Sequence, residues 1–208
     1  MVGMRQLKYL MLAGAAVLAL SSVAGAQSMA PKMSKGTAKA IAAGVFTITS
    51  STFRDGGFLP RKVANTGKDK NPNCVGDNVS PQLSWANPPE GTKSYALLLF
   101  DPEARAPNGV SQWVAYGIPV SVTGFDEGEV SKDGNKYVGG KSTMGVGHYS
   151  GPCTPPGPPH HYTFTLMATD LEPTALKPGL TREEVIKELQ GHVKSATGIV
   201  GKFQHPKR

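Results

Sequence analysis

From Tyr95 to Phe100 every residue is apolar, and the run stops at Asp101-Pro102. A strand that is apolar on both faces is covered on both, so Ser94–Phe100 predicts the central strand of a sheet. The neighbouring runs alternate instead. Val45–Thr52 (VFTITSST) is β-branched and alternating, which predicts a first strand. Asn78–Trp85 predicts a short strand before the turn Asn87-Pro88-Pro89-Glu90-Gly91, and Gln112–Ile118 predicts another, closed by Pro119. Between Tyr162 and Ala168, the residues Tyr162, Phe164, Leu166 and Ala168 share one face, while Thr163, Thr165 and Met167 share the other. A last strand is expected over Ala196–Gln204.

A helical period appears over Leu180–Lys194. Val185, Ile186, Leu189 and Val193 form its apolar stripe, and Gly191 should weaken its middle slightly. Thr181 and Glu184 have the spacing of a capping box, with Leu180 and Val185 placed as a hydrophobic staple. Asp55-Gly56-Gly57 and Ala104–Gly109 read as turns, Ser121–Gly140 as loop or short hairpin, and Pro60–Asp77 as a long polar surface loop tethered by Cys74. With 25 glycines and 17 prolines punctuating short strands, the class is β-rich, in one domain over residues 45–208 and without internal repeats.

The start of the chain has a different character. Arg5 and Lys8 precede an apolar run from Tyr9 to Leu20, and Ala24-Gly25-Ala26 fits a small-x-small cleavage site. Residues 1–26 therefore read as a secretory signal, because a bilayer span needs about 20 apolar residues. Gln27–Gly44 is small, polar and basic, and reads as a flexible leader. No later run is long enough to span a membrane, so a periplasmic or secreted location without a transmembrane segment in the mature chain is expected.

The formal charge of +7 falls to +5 without the signal's two basic residues. The remaining lysines are scattered and not interleaved with aromatics, which argues against a nucleic-acid partner. Cys74 and Cys153 both lie in the exported part, and an even count outside the cytoplasm predicts a disulfide. No C-x-x-C motif or spaced ligand set points to redox catalysis or a metal, and no cofactor is implied.

Candidate chemistry concentrates in Gly147–Asp170. Pro152, Pro155, Pro156, Pro158 and Pro159 stiffen a loop that delivers His160-His161-Tyr162 into a strand. If strand geometry holds at His160, its imidazole and the Tyr162 phenol project from one face, roughly 7 Å apart along the chain, and His161 faces away. A rigid rim beside an imidazole and a phenol suits a small polar or anionic ligand. Asp101, at the end of the buried strand, needs partners, either as a turn cap or as part of such a site.

The segments FTITSSTFRDGGFLP, GDNVSPQLSWANPPEGTKSYALLLFDPEA, QWVAYGIP, GPCTPPGPPHHYTFTL and ATGIVGKFQ, in this order, resemble the phosphatidylethanolamine-binding protein family, in the bacterial branch called Raf-kinase-inhibitor-like. The resemblance covers about Val45–Gln204. It implies a mainly β fold, a large central sheet packed against a smaller one with few peripheral helices. It also implies an anion pocket lined by an aspartate, which falls on Asp101, and by a histidine and tyrosine, which fall on His160 and Tyr162. A further histidine of the family falls on Gln112. His161 stands where arginine is usual, and Glu103 where aspartate is usual. The candidate ligand-binding set is thus Asp101, Gln112, Pro152, His160 and Tyr162, with Cys74 and Cys153 as the disulfide.

Three functions compete on this reading. The first is an exported binding protein for a small anion or phospholipid headgroup. The second is a protein-interaction inhibitor of a protease or other protein, meeting its partner through the proline-rich rim. The third is a hydrolase, disfavoured because no G-x-S-x-G elbow or other nucleophile stands out, so no enzymatic activity is expected.

Overall fold

The computed structural model describes residues 35–67 and 70–206; the expected signal segment lies outside them. Among the described residues, nine strands build two sheets. They are β1 (Thr47–Thr49), β2 (Gly57–Phe58), β3 (Leu83–Ala86), β4 (Ser94–Asp101), β5 (Val110–Pro119), β6 (Gly124–Phe125), β7 (Val138–Gly139), β8 (His160–Thr169) and β9 (Val193–Phe203). The large sheet runs β2-β9-β8-β4-β5-β7 and the small one β1-β3-β6. Only β2 and β9 pair in parallel. The fold is mainly β, with helices α1 (Lys35–Ala42) and α2 (Arg182–Glu188) at the periphery.

The apolar run becomes β4, flanked by β5 and β8. Its alternate residues serve two cores. Tyr95, Leu97 and Leu99 face the space between the sheets, where Trp85, Trp113, Phe125, Tyr137 and Tyr149 gather. Trp113 sits at the centre of that cluster, with ring centroids of Phe125 at 5.7 Å and Tyr137 at 5.5 Å. Ala96 and Leu98 face the other way and join Val114, Tyr116, Leu180, Val185 and Leu189, so α2 caps the outer face. This double cover is why β4 carries no alternation.

Strand ends position the site. Asp101 pairs with Val110 at the β4–β5 end, and Phe100 pairs with Thr163 at the β4–β8 end. The last residue of β4 and the first residues of β5 and β8 therefore meet at one edge of the sandwich.

Three local expectations change. The helix expected to reach Lys194 stops at Glu188. Gly191 takes φ +81, a left-handed turn that ends the helix rather than weakening its middle, and Val193 begins β9. The capping box does form, with the Thr181 hydroxyl accepting from the Glu184 N–H and the Glu184 carboxylate accepting from the Thr181 N–H. Within the segment expected to be a flexible leader, α1 forms over an alanine- and lysine-containing run and closes at Gly44 (φ +74), with the Val45 N–H donating to Ala40 O. Its end is pinned by Asn87, whose Nδ2 donates to Ile41 O at 2.9 Å. The polar loop 60–77 is not wholly superficial: Val63 and Ala64 are fully buried.

Cys74 and Cys153 form the disulfide, 79 residues apart in sequence, joining that loop to the proline-rich segment. Cross-linking over such a span restricts the unfolded chain. Replacing both cysteines by serine should lower stability by about 2–4 kcal/mol, read as an earlier urea midpoint under non-reducing conditions. An unchanged midpoint would mean that the loops are held without the bridge.

Candidate functional site

A buried carboxylate needs compensation, and Asp101, at 1% exposure, receives it from two sides. Its Oδ1 accepts the backbone N–H groups of Glu103 and Ala104, each at 3.0 Å. Its Oδ2 lies 2.9 Å from His160 Nδ1. Asp101 thus caps the turn and also reaches His160. The turn that Asp101 caps also fixes the side chain it presents to His160.

The alternation of β8 extends back to its first residue. His160 and Tyr162 line one cavity of about 440 Å3 together with Asp101 and Gln112, while His161 turns outward. His161 is clamped to Glu103: its Nδ1 lies 2.7 Å from Oε1, and its backbone N–H donates to Oε2 at 3.1 Å. Burial alone would raise the Glu103 carboxyl, but the bonds from His161 outweigh it and hold the group below the usual carboxylate range. Two adjacent histidines on β8 therefore pair with two carboxylates two positions apart, Asp101 at the end of β4 and Glu103 just past it.

Tyr162 is buried, and its hydroxyl meets Thr154 Oγ1 at 2.7 Å. Burial pushes its ionisation well above the ordinary tyrosine range, with the nearby Asp101 charge adding to the shift. Tyr162 thus stays a neutral phenol at physiological pH. Gln112 is 4% exposed, and its Oε1 has no hydrogen-bond partner among the described residues.

Pro152 stands apart from the other candidates. It is buried behind the wall, where its carbonyl accepts the Asn65 N–H at 2.8 Å, and the proline that lines the cavity is Pro155. Residues that the sequence did not single out build the wall. Asn65 Nδ2 donates to Ser150 Oγ at 2.8 Å, Asn78 Oδ1 accepts the Gly151 N–H at 2.8 Å, and the Tyr149 hydroxyl donates to Val63 O at 2.8 Å. The disulfide forms part of the same wall, and Arg105 and Met144 are exposed lining residues at its opening.

A wider groove of about 640 Å3 beside β1 gathers Phe46, Ile48, Phe53 and Ile199 with Arg54 and Asp55. Asp55 is already committed to the Val200 N–H at 2.8 Å, so that groove holds no convergent set like the one around Asp101. Among the described residues, no three His, Cys, Asp or Glu side chains gather as metal ligands, and no helix is long and apolar enough to cross a membrane.

The sequence profile of the phosphatidylethanolamine-binding protein family matches residues 49–204. The chain belongs to this family. Within it, a UPF0098 protein of Methanothermobacter thermautotrophicus is 33% identical over 160 residues, covering 76% of this chain and 97% of its own. The UPF0098 protein YbcL of Escherichia coli is 35% identical over 135 residues, 62% of this chain and 72% of its own. The crystal structure of Escherichia coli YbcL, described as a member of the mammalian family, superposes with a TM-score of 0.69 at 30% identity, covering 76% of this chain and 98% of that one. A Chlamydia trachomatis family homologue gives a TM-score of 0.65 at 26% identity, covering 77% and 98%. The two-sheet architecture with few helices is thus the family's fold.

Proposed function

We propose that this member of the phosphatidylethanolamine-binding protein family is an exported, non-enzymatic binding protein whose cavity takes a small anion or a phospholipid headgroup. The observation that carries the reading is the convergence of Asp101, His160, Tyr162 and Gln112, from three strand ends, on one cavity of about 440 Å3. That volume is within the range of small-molecule sites. Asp101, His160 and Tyr162 are pre-oriented by their own bonds, which lowers the ordering cost of binding.

Binding without turnover is supported by the state of the nearby hydroxyls and sulfurs. Ser150 Oγ is held by Asn65, Thr154 Oγ1 by Tyr162, and both cysteines are bridged. Nucleophilic catalysis needs an activated group within reach of a base, and these groups are otherwise engaged. Export is supported by the signal-like first 26 residues and by the disulfide, a bond that persists outside the cytoplasm.

Calorimetric titration of the wild type with phosphoethanolamine and with acetate, at pH 6 and 7.5, tests the reading. Binding to one site is expected. No heat and no competition at either pH would contradict it. Gln112→His should tighten inorganic phosphate by about tenfold (about 1.4 kcal/mol) at pH 6 and by less at pH 8. The reason is that a protonated imidazole offers charge-assisted bonds where an amide offers neutral ones. Unchanged affinity at both pH values would mean that residue 112 does not meet the ligand.

A further inference from the structure

We propose that an extended peptide carrying an acidic side chain docks in the groove beside β1 and adds a strand to the free edge of the small sheet. The groove shares no lining residue with the cavity around Asp101, so this site stands apart from the headgroup reading.

The direction of the backbone defines the edge. In an antiparallel ladder, successive residues turn their N–H and C=O groups to opposite sides. The Trp85 N–H donates to Thr123 O at 2.9 Å, on the side of β6. Ile48 is the partner of Trp85 across the β1–β3 ladder. This pair is therefore the non-hydrogen-bonded kind, and the Ile48 N–H and C=O point away from β3. Among the described residues no strand pairs with β1 on that side. Ile48 is 3% exposed, and neither backbone group has a hydrogen-bond partner among the described residues. A buried amide and carbonyl left without partners cost free energy, and an added strand satisfies both at once.

The groove beside that edge, about 640 Å3, has Phe46, Phe53 and Ile199 on its floor, all buried apolar side chains. A strand laid along β1 would set alternate side chains on this floor and the others toward solvent. The turn from Arg54 to Gly57 forms another wall, and β9 holds it in place. The Gly56 N–H donates to Val200 O at 2.7 Å, and Asp55 Oδ1 accepts the Val200 N–H at 2.8 Å. Asp55 is thus engaged. The Arg54 guanidinium is exposed on the rim and makes no hydrogen bond or ion pair with any described residue. A planar, permanently charged fork there selects a carboxylate on the incoming chain. The apolar floor alone would suit an acyl chain; the unpartnered main chain of Ile48 selects a peptide.

The test selects a randomised heptapeptide library, displayed on phage, against the wild type and counter-selects it on Ala40→Trp, which fills the groove from α1. Recovered sequences should alternate apolar and polar residues and carry an aspartate or glutamate. A synthetic peptide from the selection should slow hydrogen exchange at the Ile48 amide. It should lose at least about tenfold in affinity when the amides along one of its edges are N-methylated, and nothing when those along the other are. Arg54→Glu should keep the wild-type melting temperature, lose at least about tenfold for the same peptide, and regain it when the peptide's acid is replaced by lysine. No enrichment over the groove-filled variant overturns the proposal. So does a peptide that tolerates methylation along both edges, or one that ignores the charge reversal. Laurate binding that Ala40→Trp abolishes, without peptide enrichment, overturns it in favour of an acyl chain. A wild-type dimer that Ala40→Trp dissociates overturns it in favour of a second copy of the chain.

Discussion

Replacing Asp101 with alanine is expected to abolish binding of phosphoethanolamine and to destabilise the protein by about 3 kcal/mol, because one buried acceptor serves several groups at once. The carboxylate is 1% exposed and serves three groups. Alanine would leave the Glu103 and Ala104 N–H groups and the His160 ring without their acceptor. The β4–β5 turn would lose its cap, and Arg105 would lose its placement. Asp101→Asn separates these consequences. Its side-chain oxygen can still accept both N–H groups, so about 1–3 kcal/mol of the loss should remain. Its amide would donate to His160 Nδ1, which shifts the imidazole proton to Nε2 and reverses what the floor offers a ligand. Urea unfolding and calorimetry of the two variants read both effects. An alanine variant as stable as wild type would mean that the buried pair contributes nothing.

Gly151→Ala is expected to be as damaging, by about 3 kcal/mol, at the upper end of overpacking costs. A Cβ at Gly151 would lie 1.9 Å from Val63 O, and 3.0 Å from both Ala64 C and Asn65 N. These obstacles are backbone, so no side chain can swing aside. That backbone is also pinned, by the Tyr149 hydroxyl on Val63 O and by the Asn65 N–H on Pro152 O. Gly76 abuts the same segment from another side, 2.1 Å from Ala64 O for an added Cβ. The cavity wall is therefore three layers of chain in direct contact, and a methyl group there must displace the wall. Affinity should fall with stability. Gly134→Ala is the control: its nearest neighbour would be Tyr137 Cε1 at 3.9 Å, so its urea midpoint should stay at the wild-type value. An unchanged midpoint for Gly151→Ala would show that the wall yields easily.

How much of this could be read beforehand follows from the range of the forces involved. The central strand was legible because burial on both faces forbids polar residues along β4. The alternation of Tyr162, Phe164, Leu166 and Ala168 correctly assigned the inward face of β8 because a strand's period is fixed by its geometry. The bridge between Cys74 and Cys153 followed from an even cysteine count together with the expectation of export. The wall did not announce itself. Asn65 meets Ser150 and Asn78 meets Gly151 across 85 and 73 residues, and such pairs leave no periodic trace. Pro152 and Pro155 look equivalent in sequence, yet the path of the loop buries one behind the wall and sets the other on it. The helix over 180–194 was extended too far because Val193 fits the apolar stripe, while the Gly191 turn decides the boundary. Arg105 lay within a segment read only as a turn, Ala104–Gly109, and its place at the cavity opening depends on the left-handed backbone it adopts there.

The central claim is that the hollow around the Asp101–His160 pair receives a headgroup-like ligand. Soaking crystals in phosphoethanolamine and determining the structure tests this most directly. The account predicts ligand density touching His160 and Gln112 inside the cavity. A cavity that stays empty under saturating soak, or is filled by collapse of Pro155 and Met144 onto His160, would contradict it.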